Sequence, residues 1–263
     1  MKTMRPLHVF CCLLLFASAA LQVSISAHAP AAQTHRAKPT PTPSPTPRAH
    51  KTPPGAKGYA QYASRDASDR LLTGGATRGT GAQAYFSEGG QQYKKQNLEA
   101  AARAFAQAVK LAPHWAEAHY SLAIVLGELD RWDESVAEFQ RALAEKPDDD
   151  LRLLITYNLG NAYLDLGNYE QAAAYFQRTT QLAPTEPTPH YNLALTYVAQ
   201  GHKDKAVEEF QAALRLKPDY KEAHFNLALV YWQTGQQDAA RAEQQKLKAL
   251  NAQMARDLAA LFK

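Results

Sequence analysis

The chain has almost no cysteine. Its two thiols, Cys11 and Cys12, lie side by side in an apolar run near the start. If that run is removed, nothing remains for a disulfide, a thiolate zinc site or a cysteine nucleophile. Other chemistry-bearing patterns are missing as well: no glycine-rich phosphate loop, no H-E-x-x-H, no nucleophile elbow. The apolar run itself, Val9 to Leu21, falls short of the roughly 20 residues that a spanning helix needs. Positive charge is scarce where a nucleic-acid surface would require it. Residues 1–81 hold 10 Lys and Arg against 2 Asp and Glu, whereas residues 82–263 hold 19 against 23. The excess of base sits in the N-terminal third and the remainder is mildly acidic, so nucleic acid is not expected as a partner.

Lys2 and Arg5 precede the apolar run, and small residues follow it through Ala29. A basic start, a short apolar stretch and small residues near its end describe a secretory signal peptide over residues 1–29, cleaved between Ala19 and Ala29. An uncleaved anchor, with residues 7–21 as the tether, is the alternative. Either way the chain is expected to be exported, to a periplasm or the outside, and to touch a membrane only through this segment. Residues 30–81 read as a Pro/Thr/Ala-rich linker. Alternating prolines from Pro39 to Arg48 favour an extended, semi-rigid stretch of about 3.1 Å per residue. A spacer is the expected role, with a ligand for a proline-binding domain or a glycosylated stalk as alternatives. Residues 55–81 have no sustained helical period and read as disordered.

What the sequence does have is self-similarity. The stretch YNLALTYVAQG, ending at Gly201, returns as FNLALVYWQTG ending at Gly235 and as YNLGNAYLDLG ending at Gly167. Phe105, Phe139, Phe176 and Phe210 recur in step, and Pro113, Pro147, Pro184 and Pro218 stand 34, 37 and 34 residues apart. Within a unit, Tyr191, Leu195 and Val198 follow helical spacing. Ala194, Ala206 and Ala213 are small where two helices must approach, Gly201 ends the first helix and Pro218 stops the second. These landmarks resemble the tetratricopeptide repeat, a helix–turn–helix unit of about 34 residues. The resemblance implies an all-α solenoid over residues 82–263. Its repeats are 82–115, 116–149, 153–186, 187–220 and 221–250, followed by a capping helix over 252–262. Asp150, Leu151 and Arg152 are three extra residues, read as a lengthened start of the third unit. The first unit, with adjoining Gly89 and Gly90 and with Gln96 where later units have glycine, is expected to be the loosest. In the fifth, Gln244 replaces the recurring phenylalanine, as expected of an end unit.

The resemblance also implies what the array does. Such arrays bind other proteins, so a non-catalytic scaffold is expected, with no cofactor and no metal. The concave groove, lined by first helices, would take an extended apolar peptide or a helix. Carried over residue by residue, it holds an aromatic row of Phe86, Tyr120, Tyr157, Tyr191 and Phe225. Beside it runs an amide row of Asn158, Asn192 and Asn226. A third, mixed row holds Ile124, Asn161, Leu195 and Leu229, with Leu164, Val198 and Trp232 a turn on. Asparagine both donates and accepts, which suits a peptide backbone and equally suits a tie between repeats. The family's carboxylate clamp is matched only at Asn161 and Asn192, because Tyr157, Glu222 and Asn226 stand where its cations belong. His119, His190 and His224 share one position and are expected to pack rather than to hold a metal. Asp148, Asp149 and Asp150 are expected to cap a helix. Second helices, with Gln211 and Arg215, are expected on the convex side. A self-associating solenoid remains as the alternative, and an accessory subunit of an enzyme as a third reading.

Overall fold

The computed structural model describes residues 80–262, so the leader and most of the linker expected above lie outside the described residues. The described chain is helical throughout, in eleven helices. The first repeat is α1 (Thr80–Lys94) and α2 (Leu98–Leu111), the second α3 (Ala116–Glu128) and α4 (Trp132–Ala144). The third is α5 (Asp149–Asp165) and α6 (Tyr169–Leu182), the fourth α7 (Pro187–Ala199) and α8 (Lys203–Leu216). The fifth is α9 (Lys221–Gln233) and α10 (Gln237–Leu250), and α11 (Ala252–Leu261) follows. Helix α5 runs 17 residues where α3, α7 and α9 run 13, and residues 150–152 lie in its first turn. Asp148 caps it, accepting a hydrogen bond from the Leu151 N–H at 2.8 Å.

Each of the first four repeats closes on one aromatic pair. The ring at the start of the first helix meets the phenylalanine of the second: Tyr120 with Phe139 at 5.8 Å, Tyr157 with Phe176 at 6.0 Å, Tyr191 with Phe210 at 5.8 Å. Phe105, Phe176 and Phe210 are wholly buried, and burying such a ring is worth about 1.5–3 kcal/mol. The ring needs a small residue opposite it. At Gly89 a Cβ would come within 2.7 Å of the Phe105 ring, and at Gly160 within 2.7 Å of Phe176. Gly89 is therefore what admits Phe105, and its helix cost is offset by that contact.

The turn between the two helices of a repeat passes through left-handed backbone every time. Gly167, Gly201 and Gly235 adopt φ of 71°, 79° and 77° in repeats 3 to 5, while Gln96 (62°) and Asp130 (59°) hold the same place in repeats 1 and 2. Glycine takes this conformation freely and a side chain strains it, so the first two turns lack an economy that the last three have. At the other end α11 packs as a first helix would. Leu258 and Ala255 are buried with Phe225, Ala228 and Leu247, and Met254, Leu261 and Phe262 pack around them. Gln244, in place of the recurring phenylalanine, donates to the Ala255 carbonyl at 3.1 Å and so joins α10 to the cap.

Candidate functional site

Successive first helices touch, α3 with α5 and α9 with α11, and they carry the residues expected to meet a ligand. The amide row is turned inward. Asn158 donates to the Tyr120 hydroxyl at 3.2 Å, Asn192 to the Tyr157 hydroxyl at 3.0 Å and Asn226 to the Tyr191 hydroxyl at 2.9 Å. Each asparagine thus bonds the tyrosine of the repeat before it. Asn192 makes a second bond, to the Asn161 carbonyl oxygen at 3.3 Å. Tyr120, Tyr157, Asn158, Asn161, Tyr191, Asn192 and Phe225 are all buried. Burial pushes the Tyr120 and Tyr157 phenols above their ordinary values, and the asparagine bonds oppose it with smaller effect.

Of the two roles an asparagine row suits, the hydrogen bonds make the tie: Asn158 and Asn192 are buried between repeats, and Asn226 is partly so. Three further members of the expected groove are engaged at the C-terminal end. Trp232 stacks on Phe262 with ring centroids 4.4 Å apart, and Phe225 and Leu229 lie under α11. Four aliphatic side chains of the first helices stay half-exposed: Ile124, Leu164, Leu195 and Val198. A small void of about 10 Å³ lies behind Ile124, and the Asn158 carbonyl oxygen that lines it has no hydrogen-bond partner.

Two further sets of polar contacts escaped the sequence reading. Gln140, Gln177 and Gln211, on second helices, donate to the hydroxyls of Tyr163, Tyr197 and Tyr231 on the next first helix, at 2.9, 2.7 and 2.8 Å. Gln211 was expected on a free convex surface and instead joins repeats 4 and 5. The glutamines recur in step with the tyrosines, a signal that was there to be read.

The second set explains the shared histidine position. His119, His190 and His224 each donate through Nδ1 to a glutamate nineteen residues on: Glu138 at 2.6 Å, Glu209 at 2.7 Å and Glu243 at 2.5 Å. These bonds join the two helices of one repeat. In His119 and His224 the other nitrogen faces a carbonyl as well, that of Pro113 at 2.9 Å and of Pro218 at 2.8 Å. In His119 both ring nitrogens then meet acceptors, an arrangement that only the doubly protonated ring can satisfy with two donors. For His119, burial lowers the ring's pKa, but the bonds to Glu138 and the Pro113 carbonyl and the Glu138 charge outweigh it. Arg141 opposes them, and the net shift is upward. Arg141 and Lys246 hold the second oxygens of Glu138 and Glu243. No three His, Cys, Asp or Glu side chains are grouped to hold a metal among the described residues.

Comparisons with known proteins agree on the architecture. Family models described as tetratricopeptide repeat match residues 116–185, 163–214 and 221–254, and one described as TPR repeat matches 196–235. No curated protein matches the chain. Among solved structures, MamA (residue 41 to its end) from Desulfovibrio magneticus RS-1 superposes with a TM-score of 0.63 at 21% identity, covering 66% of this chain and 97% of that one. YrrB, described as a TPR protein with an unusual peptide-binding site, superposes with a TM-score of 0.58 at 20% identity, covering 76% and 96%. At such identities the likeness is one of fold. With the landmarks, the helices and the matched models in agreement, the chain carries an array of tetratricopeptide repeats.

Proposed function

We propose that the array is a non-catalytic scaffold that takes an apolar extended segment or helix of another protein along its first-helix face, in an exported or envelope assembly. One observation supports this most. Beneath the closed rows of tyrosine and asparagine, the aliphatic residues Ile124, Leu164, Leu195 and Val198 stay half-exposed on consecutive first helices. Aliphatic residues in register on a groove face are what an amphipathic or extended apolar partner seats against. YrrB, with its unusual peptide-binding site, gives the reading a parallel on the same fold.

The reading moves the expected contacts from the amides to the aliphatics, with Leu195 shared by both. Substituting Leu195→Lys together with Val198→Lys is expected to abolish recovery of partners from the host's envelope fraction. The Asn226→Ala variant is expected to retain them. Recovery of the same partners by the double-lysine protein, at unchanged melting temperature, would overturn the reading.

A further inference from the structure

The other side of the array holds a second surface. Leucine ends the second helix in four of five repeats, as Leu111, Leu182, Leu216 and Leu250. Each stands in the open, at 54%, 42%, 40% and 41% exposure. One exposed leucine is ordinary. The same place held open in three successive repeats makes an apolar ridge. Where it reaches α8 and α10 it borders a groove of about 540 Å³, walled by Leu214, Leu227, Ala249 and Leu250. That volume lies within the roughly 300–1,000 Å³ of ordinary ligand pockets.

The rim carries one sign of charge. Arg215 and Lys246 line the groove. Lys217 lies over the Tyr220 ring at 4.9 Å, and Lys248 is exposed on α10. Arg215 makes no ion pair or hydrogen bond among the described residues. The one acid in the wall, Glu243, is buried and already holds both His224 and Lys246. Asp219 is exposed in the adjoining turn, and Glu222, at the start of α9, is paired with Lys221. An apolar floor under an uncommitted guanidinium selects an occupant that is aliphatic and acidic. The chain's own N-terminal segment has the wrong sign, since residues 1–81 hold 10 bases and 2 acids. A membrane surface is flat, and this site is a recess lined by α8, α9 and α10.

We infer that the α8–α10 groove is a second docking site, for a short segment of another protein that carries leucine or isoleucine beside aspartate or glutamate. Its apolar side chains enter between Leu214 and Leu250, and its carboxylate meets Arg215. The groove shares no residue with the face of Ile124, Leu164, Leu195 and Val198, so it is independent of the first-helix reading.

The test pans the full-length protein against phage-displayed random short peptides and measures a labelled selected peptide by fluorescence anisotropy. Selected sequences are expected to be rich in Leu, Ile, Asp and Glu and poor in Lys and Arg. Leu250→Glu and Arg215→Glu are each expected to weaken binding about tenfold or more, as anchor losses do, with helical content and melting unchanged because both side chains are exposed. Selection without acidic bias would overturn the inference. So would binding that ignores both substitutions or that responds only to Leu195→Lys. Sedimentation with phosphatidylcholine–phosphatidylglycerol vesicles that depends on Leu250 would assign the groove to a lipid surface, against the inference. A dimer dispersed by Leu250→Glu in light scattering would assign it to a second copy, with the same consequence.

Discussion

The junction between repeats 1 and 2 and the junction between repeats 3 and 4 place their helices alike but hold them by different means. At the first, Phe86 stands where repeats 2 to 4 have tyrosine and Ser121 where repeats 3 to 5 have asparagine. Ser121 turns back to the Glu117 carbonyl of its own helix, at 2.7 Å. The joining there is largely hydrocarbon: Phe86 and Trp115 are fully buried with ring centroids 4.5 Å apart, Phe86 meets Phe105 at 5.4 Å, and one polar tie, from the Tyr93 hydroxyl to the Glu128 carboxylate, crosses the junction. At the second junction several polar ties run beside an apolar seam. Asn192 reaches Tyr157 and Asn161, Gln177 reaches Tyr197, and Gln200 donates to the Tyr169 carbonyl at 3.0 Å. The tyrosine–asparagine row is therefore not needed at every junction: at the first, small-against-large packing and the Tyr93–Glu128 bond hold the stack without it.

The sharpest break of that comparison is Trp115→Ala. Removing a fully buried indole costs about 3–5 kcal/mol, and here it removes the ring that joins the first repeat to the second. Hydrogen exchange is expected to show α1 and α2 losing protection while α7 to α10 keep theirs. Uniform loss across the array would mean the repeats open as one unit.

Next in size is the pair Asn192→Ala and Asn158→Ala, read by urea titration. A buried partner left without its hydrogen bond costs about 1–3 kcal/mol. Asn192 gives up two bonds, one to the Tyr157 hydroxyl, which keeps Asn161 as a partner, and one to the Asn161 oxygen, whereas Asn158 gives up one and its own side-chain oxygen is already unpaired. Asn192→Ala is expected to be the more destabilising. The reverse order would mean that the Asn161 contact adds nothing.

The smallest effect is a dependence on pH, centred on repeat 2. The folded pKa of His119 is raised above the ordinary imidazole value, so its contribution to stability is complete below about pH 6.5. It is lost as pH rises through the folded value. Wild-type stability is expected to fall on going from mildly acid to mildly alkaline buffer, and His119→Leu to flatten that fall. An equal slope in the variant would place the titration elsewhere.

The repeats were legible because their landmarks are local facts about one helix pair: Phe176 needs Gly160, and Gly167 needs no neighbour at all. The amide row was legible as a row but not as a tie. Spacing places Asn192 on a helix face, and only the neighbouring repeat decides whether that face is covered. Trp232 shows the same limit, since its cover comes from Phe262 in the cap. The histidines were read correctly as packing and incompletely as chemistry. Their partners Glu138, Glu209 and Glu243 recur nineteen residues on, but a charged residue on an outer helix looks like a solvated one until its burial is known.

The ties described above all join chain neighbours. The longest, from Asn158 to Tyr120, spans 38 residues, and the histidine–glutamate pairs span 19. An array wired this way has low contact order, so its search for native contacts closes only short loops. Any two adjacent repeats can form a nucleus and growth can run from there in either direction. A defect in one repeat then slows passage across it without barring folding from the other side.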